Sequence, residues 1–217
     1  MVSFYSKVIA SLIKRNQSWK QNCYNKKKDV FERLVAQGQK PNLMIISCCD
    51  SRINPMEMFE ADIGECFVHR NIANLVPEYA EKEKCHGTIA AIEYAVLALK
   101  VENIVVLGHS NCGGALACIS QFKNKKATKI ATLPSVEKWL EILRPKYNQL
   151  PKNLSDTEKA KMLERLSVGV SIDNLLSYPF IKDAVMAKKL SLHGLWIDIG
   201  KGELLVFDKD TGNVRNL

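Results

Sequence analysis

Apolar positions fall into two kinds of run along the 217-residue chain. Phe4, Val8, Ile9, Leu12 and Ile13 recur at helical spacing. After Asn16 and Ser18, a second helical pattern passes through Trp19, Tyr24, Val30, Phe31, Leu34 and Val35 to Gly38, a residue suited to a helix end. Pro41 and Asn42 then punctuate the chain. The short apolar run Leu43 to Ser47 predicts a buried strand, Pro55 opens a short helix through Phe59, and Cys66 to His69 reads as a second strand. Gly87 to Leu99 predicts a helix with Ile89, Ile92, Ala95, Val96 and Leu99 on one stripe, and Asn103 to Gly108 a third buried strand, with a new helix beginning near Gly113. The stretch from Pro134 to Lys189 is helical and charged. Leu192 to Ile199 and Glu203 to Phe207 predict two strands around a turn at Lys201-Gly202.

Strands alternating with helices imply an α/β fold with a mostly parallel central sheet flanked by helices. The final hairpin would add a C-terminal antiparallel edge strand. The chain divides into an N-terminal helical arm over 1–37 and an α/β domain over 38–217. The apolar stripes of the arm have little local partner, which favours burial against another subunit, in a homodimer or a higher homo-oligomer.

Composition narrows the class. Apolar residues at 47% and charged residues at 25% suit a globular domain and argue against disorder or a coiled coil. No apolar run approaches the roughly 20 residues of a membrane span. Lys7 interrupts the first apolar stretch and no cleavage signal follows, so the expected location is cytoplasmic, with no membrane partner. Seven cysteines is an odd count, which fits a reducing compartment better than a disulfide scaffold. The net charge of +8 draws attention to Lys26-Lys27-Lys28 and to the cluster from Lys123 to Lys129, but neither has interleaved aromatics. They read as solvated basic surface, with no nucleic-acid partner expected.

Reactive residue types concentrate after two of the buried strands. One segment is IISCCDSR, ending at Arg52; the other is VVLGHSNCGG, ending at Gly114. In open α/β sheets, sites form at the carboxyl ends of strands, so these distant segments can converge. Imidazole and thiolates suit zinc, whereas magnesium and calcium take oxygen ligands. His109 and Cys112 form an H-x-x-C clip that a distant cysteine would complete. Three protein ligands leave a position for water, whose pKa zinc lowers to about 7. In an extended segment Asp50 and Arg52 share a face, making a carboxylate–guanidinium pair feasible, and Cys48 shares their parity where Cys49 does not. A carboxylate there can orient the nucleophile, and Arg52 would hold that carboxylate ionised and aimed.

The combination of C-x-D-x-R at Cys48, Asp50 and Arg52 with H-x-x-C-G-G at His109, Cys112, Gly113 and Gly114 resembles the β-class carbonic anhydrases, in particular their plant-like branch. The likeness extends through Val68 to Pro77 and Gly87 to Gly114, and covers roughly residues 38 to 210. It implies zinc (Zn2+) held by Cys48, His109 and Cys112, and reversible hydration of carbon dioxide to bicarbonate and a proton. Hydroxide at the metal would attack carbon dioxide, with Asp50 and Arg52 as the catalytic dyad. It further implies substrate-binding roles for Gln39, in the G-Q-x-P segment, and for Phe67 and Tyr94, which would form an apolar cleft at a dimer interface. By the same likeness, Asp50 could close onto the metal at lower pH.

Two departures from the family pattern matter. Cys49 stands where a small residue such as serine is usual, and is expected to be a buried thiol turned away from the metal. Ile45 and Ile197 stand where one branch carries the Trp and Tyr of an inhibitory bicarbonate site; Arg70 is retained, but no strong inhibition through that site is expected. His69, His86 and His193 are candidate proton relays that the sequence does not rank. Rival functions are hydrolysis of carbonyl sulfide or carbon disulfide by the same site, and a zinc-stabilised binding protein without turnover.

Overall fold

The structure is a computed structural model that describes residues 7–80, 86–123 and 133–216. Phe4, Cys85 and the lysines at 125, 126 and 129 lie outside the described residues. The chain forms two compact units, Met1–Lys40 and Pro41–Leu217.

The N-terminal unit holds helices α1 (Lys7–Asn22) and α2 (Lys28–Gln37), joined by a 3-10 turn at Tyr24–Lys27. Helix α1 runs through Asn16 and Ser18 instead of breaking there. Both are exposed, and the Ser18 hydroxyl accepts from the Asn22 amide one turn on, at 3.0 Å. Trp19, Tyr24 and Phe31 form a ring cluster, with centroids 4.9 to 5.8 Å apart. Among the described residues neither helix buries a side chain, and Val8, Ile9, Leu12 and Ile13 stay exposed. Gly38, at φ +73, ends α2.

The larger unit is built on a six-stranded sheet in the order β2-β1-β3-β4-β5-β6. Its strands are β1 (Leu43–Cys48), β2 (Cys66–Asn71), β3 (Asn103–His109), β4 (Ser191–Asp198), β5 (Glu203–Phe207) and β6 (Val214–Arg215). The first four in that order are parallel and the last two join antiparallel. The hairpin turn at Gly202 takes φ +70. Strand β5 is not the edge: the chain turns again between Asp208 and Asn213 and adds the two-residue β6 outside it. A two-residue strand is too short to leave a pattern in the sequence.

Helices α3 (Pro55–Met58), α4 (Gly87–Glu93), α5 (Gly113–Phe122), α6 (Pro134–Leu140), α7 (Arg144–Gln149), α8 (Asp156–Ser177) and α9 (Pro179–Met186) complete the unit. The helix expected over Gly87 to Leu99 changes to π geometry at Tyr94–Leu99 and ends on left-handed Lys100. Ile92, Ala95 and Val96 are buried as the stripe requires, while Tyr94 and Leu97 are exposed.

Period-2 alternation sorts β1 between two apolar layers. Met44 and Ile46 pack with Ile104, Val106, Val168 and Ile172, and Ile45 packs with Val105, Leu107, Ile53 and Ile197. Helix α8 starts with a capping box, in which the Ser155 hydroxyl accepts the Glu158 N–H and the Glu158 carboxylate accepts the Ser155 N–H. It lies close on the sheet because Gly108 has no side chain: a Cβ there would sit 2.6 Å from Val168. That close approach brings the middle of α8 beside the carboxyl end of β3.

Candidate metal centre

Strands β1 and β3 are hydrogen-bonded neighbours with Ser47 opposite Leu107, so they end side by side. Cys48 closes β1, His109 closes β3, and Cys112 is the N-cap residue of α5. Their ligand atoms all lie within 4.8 Å of one another, and the three residues are 5%, 1% and 4% exposed.

This donor set fits zinc. The His109 Nδ1 lies 2.9 Å from the Ser110 carbonyl, which can only accept, so the proton sits on Nδ1. Nε2 then presents a lone pair, and it is buried without a hydrogen-bond partner. The neighbouring Cys112 and His109 favour the Cys48 thiolate against burial, whereas Cys48 and burial oppose ionisation of Cys112. The Ala73 N–H also points at the Cys48 sulfur, at 3.4 Å. Two sulfurs and an imidazole nitrogen gathered this closely match the donors of a divalent ion, which binds them at about 2.0–2.3 Å.

Asp50 and Arg52 pair as expected, by a different route. The segment is turned, not extended, with the Ile53 N–H bonded to the Asp50 carbonyl at 2.9 Å. Arg52 Nε donates to Asp50 Oδ1 at 2.9 Å, Nη2 donates to Oδ2 at 2.7 Å, and the Arg52 N–H donates to Oδ1 at 3.0 Å. This two-pronged contact holds the Asp50 carboxyl well below the usual carboxylate range. Arg52 Nη2 also donates to the Asn111 carbonyl at 3.0 Å, tying the β1 loop to the β3 loop.

Arg70 donates to the carbonyls of Cys48 and Asp50, at 2.9 and 2.8 Å. Ile45 and Ile197 are buried. Phe67 and Tyr94 pack as a tilted ring pair, with centroids 5.8 Å apart and planes at 36°. Phe67 is paired with Met44, four rungs from Cys48 and so roughly 13 Å back along the sheet. The ring pair is therefore not gathered to the cysteine cluster within one chain. Gln39 is exposed and belongs to the N-terminal unit.

Cys49 is exposed, against expectation. It lines an apolar pocket of about 400 Å³ together with His69, His86 and Trp139. His69 Nε2 lies 3.0 Å from the Thr88 hydroxyl, and His86 stacks on Trp139 while its Nδ1 accepts the Thr88 N–H. His193 is paired in register with Val105, at the other end of β3 from His109. One residue escaped sequence reasoning. Glu164 of α8 is buried, and its carboxylate accepts the Cys112 N–H at 2.9 Å. Burial raises its pKa and the Cys112 N–H lowers it in part. In the sequence it is one acid among many in a charged helix, so no local signal marks it.

The carbonic anhydrase family profile matches residues 43–204. Over 195 residues the chain is 37% identical to beta carbonic anhydrase 3 of Arabidopsis thaliana, covering 88% of this chain and 74% of the plant protein. The chain belongs to the β-class carbonic anhydrases. As a carbonic anhydrase it is a lyase, and its fold is that of solved family members. The β-carbonic anhydrase CcaA superposes with a TM-score of 0.81 at 28% identity, over 98% of this chain and 93% of that one. A match from a pair of tetrameric β-carbonic anhydrases of Sordaria macrospora gives a TM-score of 0.74 at 30% identity, covering 92% of this carbonic anhydrase and 96% of its counterpart.

Proposed function

We propose that the enzyme hydrates carbon dioxide reversibly at a zinc ion held by Cys48, His109 and Cys112. The convergence of two sulfurs and a partnerless buried imidazole nitrogen carries this reading. Bound there, zinc supplies the Lewis acidity that makes water nucleophilic near neutral pH. Asp50, kept ionised by Arg52, accepts a hydrogen bond from the attacking water and sets the direction of its lone pair. Arg52 fixes that carboxylate through both oxygens, which would keep it off a bound metal. Arg70 holds the backbone on either side of Cys49 so that Cys48 and Asp50 keep their relative aim. Because Arg70 Nε and Nη2 already donate to two carbonyls, the guanidinium offers less to a second bicarbonate, which supports weak inhibition from that position. The product proton passes to buffer.

Phe67 and Tyr94 are assigned to the carbon dioxide cleft of a neighbouring subunit, and Gln39 to placing substrate oxygen. The tilted ring pair with Tyr94 half exposed supports this, because such a surface awaits a cover. The exposed apolar stripe of α1 supports a homo-oligomer. Among the described residues six cysteines are free, in keeping with a reducing compartment such as the cytoplasm, and no helix is long and apolar enough to cross a membrane.

The test is stopped-flow hydration with a pH indicator on protein of measured zinc content, with carbonyl sulfide and carbon disulfide assayed in parallel. Rapid carbon dioxide turnover proportional to zinc, abolished by a chelator, is expected. Zinc-replete protein that leaves carbon dioxide at its uncatalysed rate would overturn the reading.

A further inference from the structure

The peptide group that joins Asn111 to Cys112 is held from both sides. Its carbonyl accepts from Arg52 Nη2 at 3.0 Å, and its N–H donates to Glu164 Oε1 at 2.9 Å. The same Arg52 grips both oxygens of Asp50. An unbroken line of hydrogen bonds therefore runs from Asp50 through Arg52 and one peptide plane to a carboxylate buried at 5% exposure. Along such a line each bond polarises the next.

The peptide needs holding. Asn111 has φ +56, a left-handed conformation that reverses the chain between His109 and Cys112. Cys112 is the N-cap of α5, so its own N–H has no partner within the helix. Helix α8 reaches it because Gly108 lets Val168 approach the strand, and the Glu164 backbone lies 3.4 Å from where a Gly108 Cβ would stand. The Ser167 hydroxyl donates to the Glu164 carbonyl at 2.8 Å, fixing that turn of α8 locally.

We infer that Glu164 is a positioning residue for the metal centre: by accepting the Cys112 N–H it fixes the plane of the 111–112 peptide, and with it both the direction of the Cys112 sulfur and the anchor of Arg52. The inference rests on the zinc reading above. It concerns reach and hydrogen-bond geometry rather than charge, and variants separate the two. Glu164→Gln keeps an acceptor oxygen at the same reach and loses the charge. Glu164→Asp keeps the charge and falls one methylene short. Glu164→Leu removes both.

The experiment measures zinc affinity by competition with a chromophoric chelator, together with the visible absorption of the cobalt-substituted protein, which reads ligand geometry without turnover. Glu164→Leu is expected to hold zinc about 10- to 100-fold more weakly, as with other partners that orient metal ligands. Glu164→Asp should approach that loss with an altered cobalt spectrum, and Glu164→Gln should stay close to the parent in both. If Glu164→Leu fails to fold, the Asp and Gln variants decide the matter. Zinc affinity and cobalt spectra alike in parent, Asp and Gln proteins would overturn the inference, as would Gln failing while Asp matches the parent. A parent protein that binds no zinc would instead overturn the reading on which it rests.

Discussion

The chain leaving β1 and the chain leaving β3 each carry a thiol of the candidate metal centre, Cys48 and Cys112, yet they are held by opposite means. After β1 the chain is open to solvent and is braced by arginines: Arg70 on two carbonyls, Arg52 on Asp50. After β3 it is braced by the sheet through the Ser110 N–H to the Ile197 carbonyl, and by Glu164 at the Cys112 N–H; Ser110 and Cys112 are 7% and 4% exposed, with the exposed Asn111 between them. Burial of Ser110 and Cys112 makes the second loop the firmer anchor, because water competes little for their N–H groups. Charge in reach of water makes the first loop adjustable, and proton handling needs a carboxylate that solvent can reach. On the proposed reading, Cys48 on the β1 side and His109 and Cys112 on the β3 side share the metal, while control of the nucleophile by Asp50 and Arg52 falls to the β1 side alone.

The strongest way to break this contrast is at the anchor. Cys112→Ala is expected to lower zinc content to background and to abolish hydration, as read by elemental analysis alongside stopped-flow assay; retention of stoichiometric zinc would dissolve the division of labour. Next comes Asp50→Asn, which should keep zinc while hydration falls roughly 100-fold or more, the scale of losing a positioned acid–base group. Loss of zinc in that variant would move Asp50 to the anchoring side.

The third test turns on pH. Arg52 depresses the native Asp50 pKa, so the benefit of ionised Asp50 is fully present above the ordinary carboxylate value and is lost only as pH falls through the depressed one. Arg52→Met should raise the Asp50 titration towards about 4, its ordinary value, as followed by the carboxyl carbon chemical shift. An unmoved titration would show that Arg52 does not control it. The smallest effect belongs to Cys49→Ser. Its thiol is exposed and makes no ligand contact, so stability by denaturant titration should change by no more than about 0.5 kcal/mol, with zinc content intact.

What could be read from the sequence follows the same division. β1 and β3 announce themselves as β-branched runs ending in chemistry, and adjacent parallel strands bring such ends together by topology alone, so Cys48, His109 and Cys112 were legible. The Asp50–Arg52 pair was legible too, although the turn that makes it was not, because a two-residue spacing serves extended and turned chains alike. The exposure of Cys49 was missed for the same reason: strand parity stops applying once the strand ends. The π segment at Tyr94–Leu99 keeps its buried stripe and so looks helical throughout. Glu164 lies 52 positions from its partner Cys112 and meets it only because a helix settles on a glycine, a contact that no local pattern encodes.

The neighbouring rungs Ser47 and Leu107 also define what this architecture tolerates. The opening between the two jaws of the candidate metal centre is gauged by the spacing of adjacent strands, about 4.8 Å, and not by the length of chain that links them. Surface insertions between β2 and α4 would lengthen the path from one jaw to the other without widening the bite.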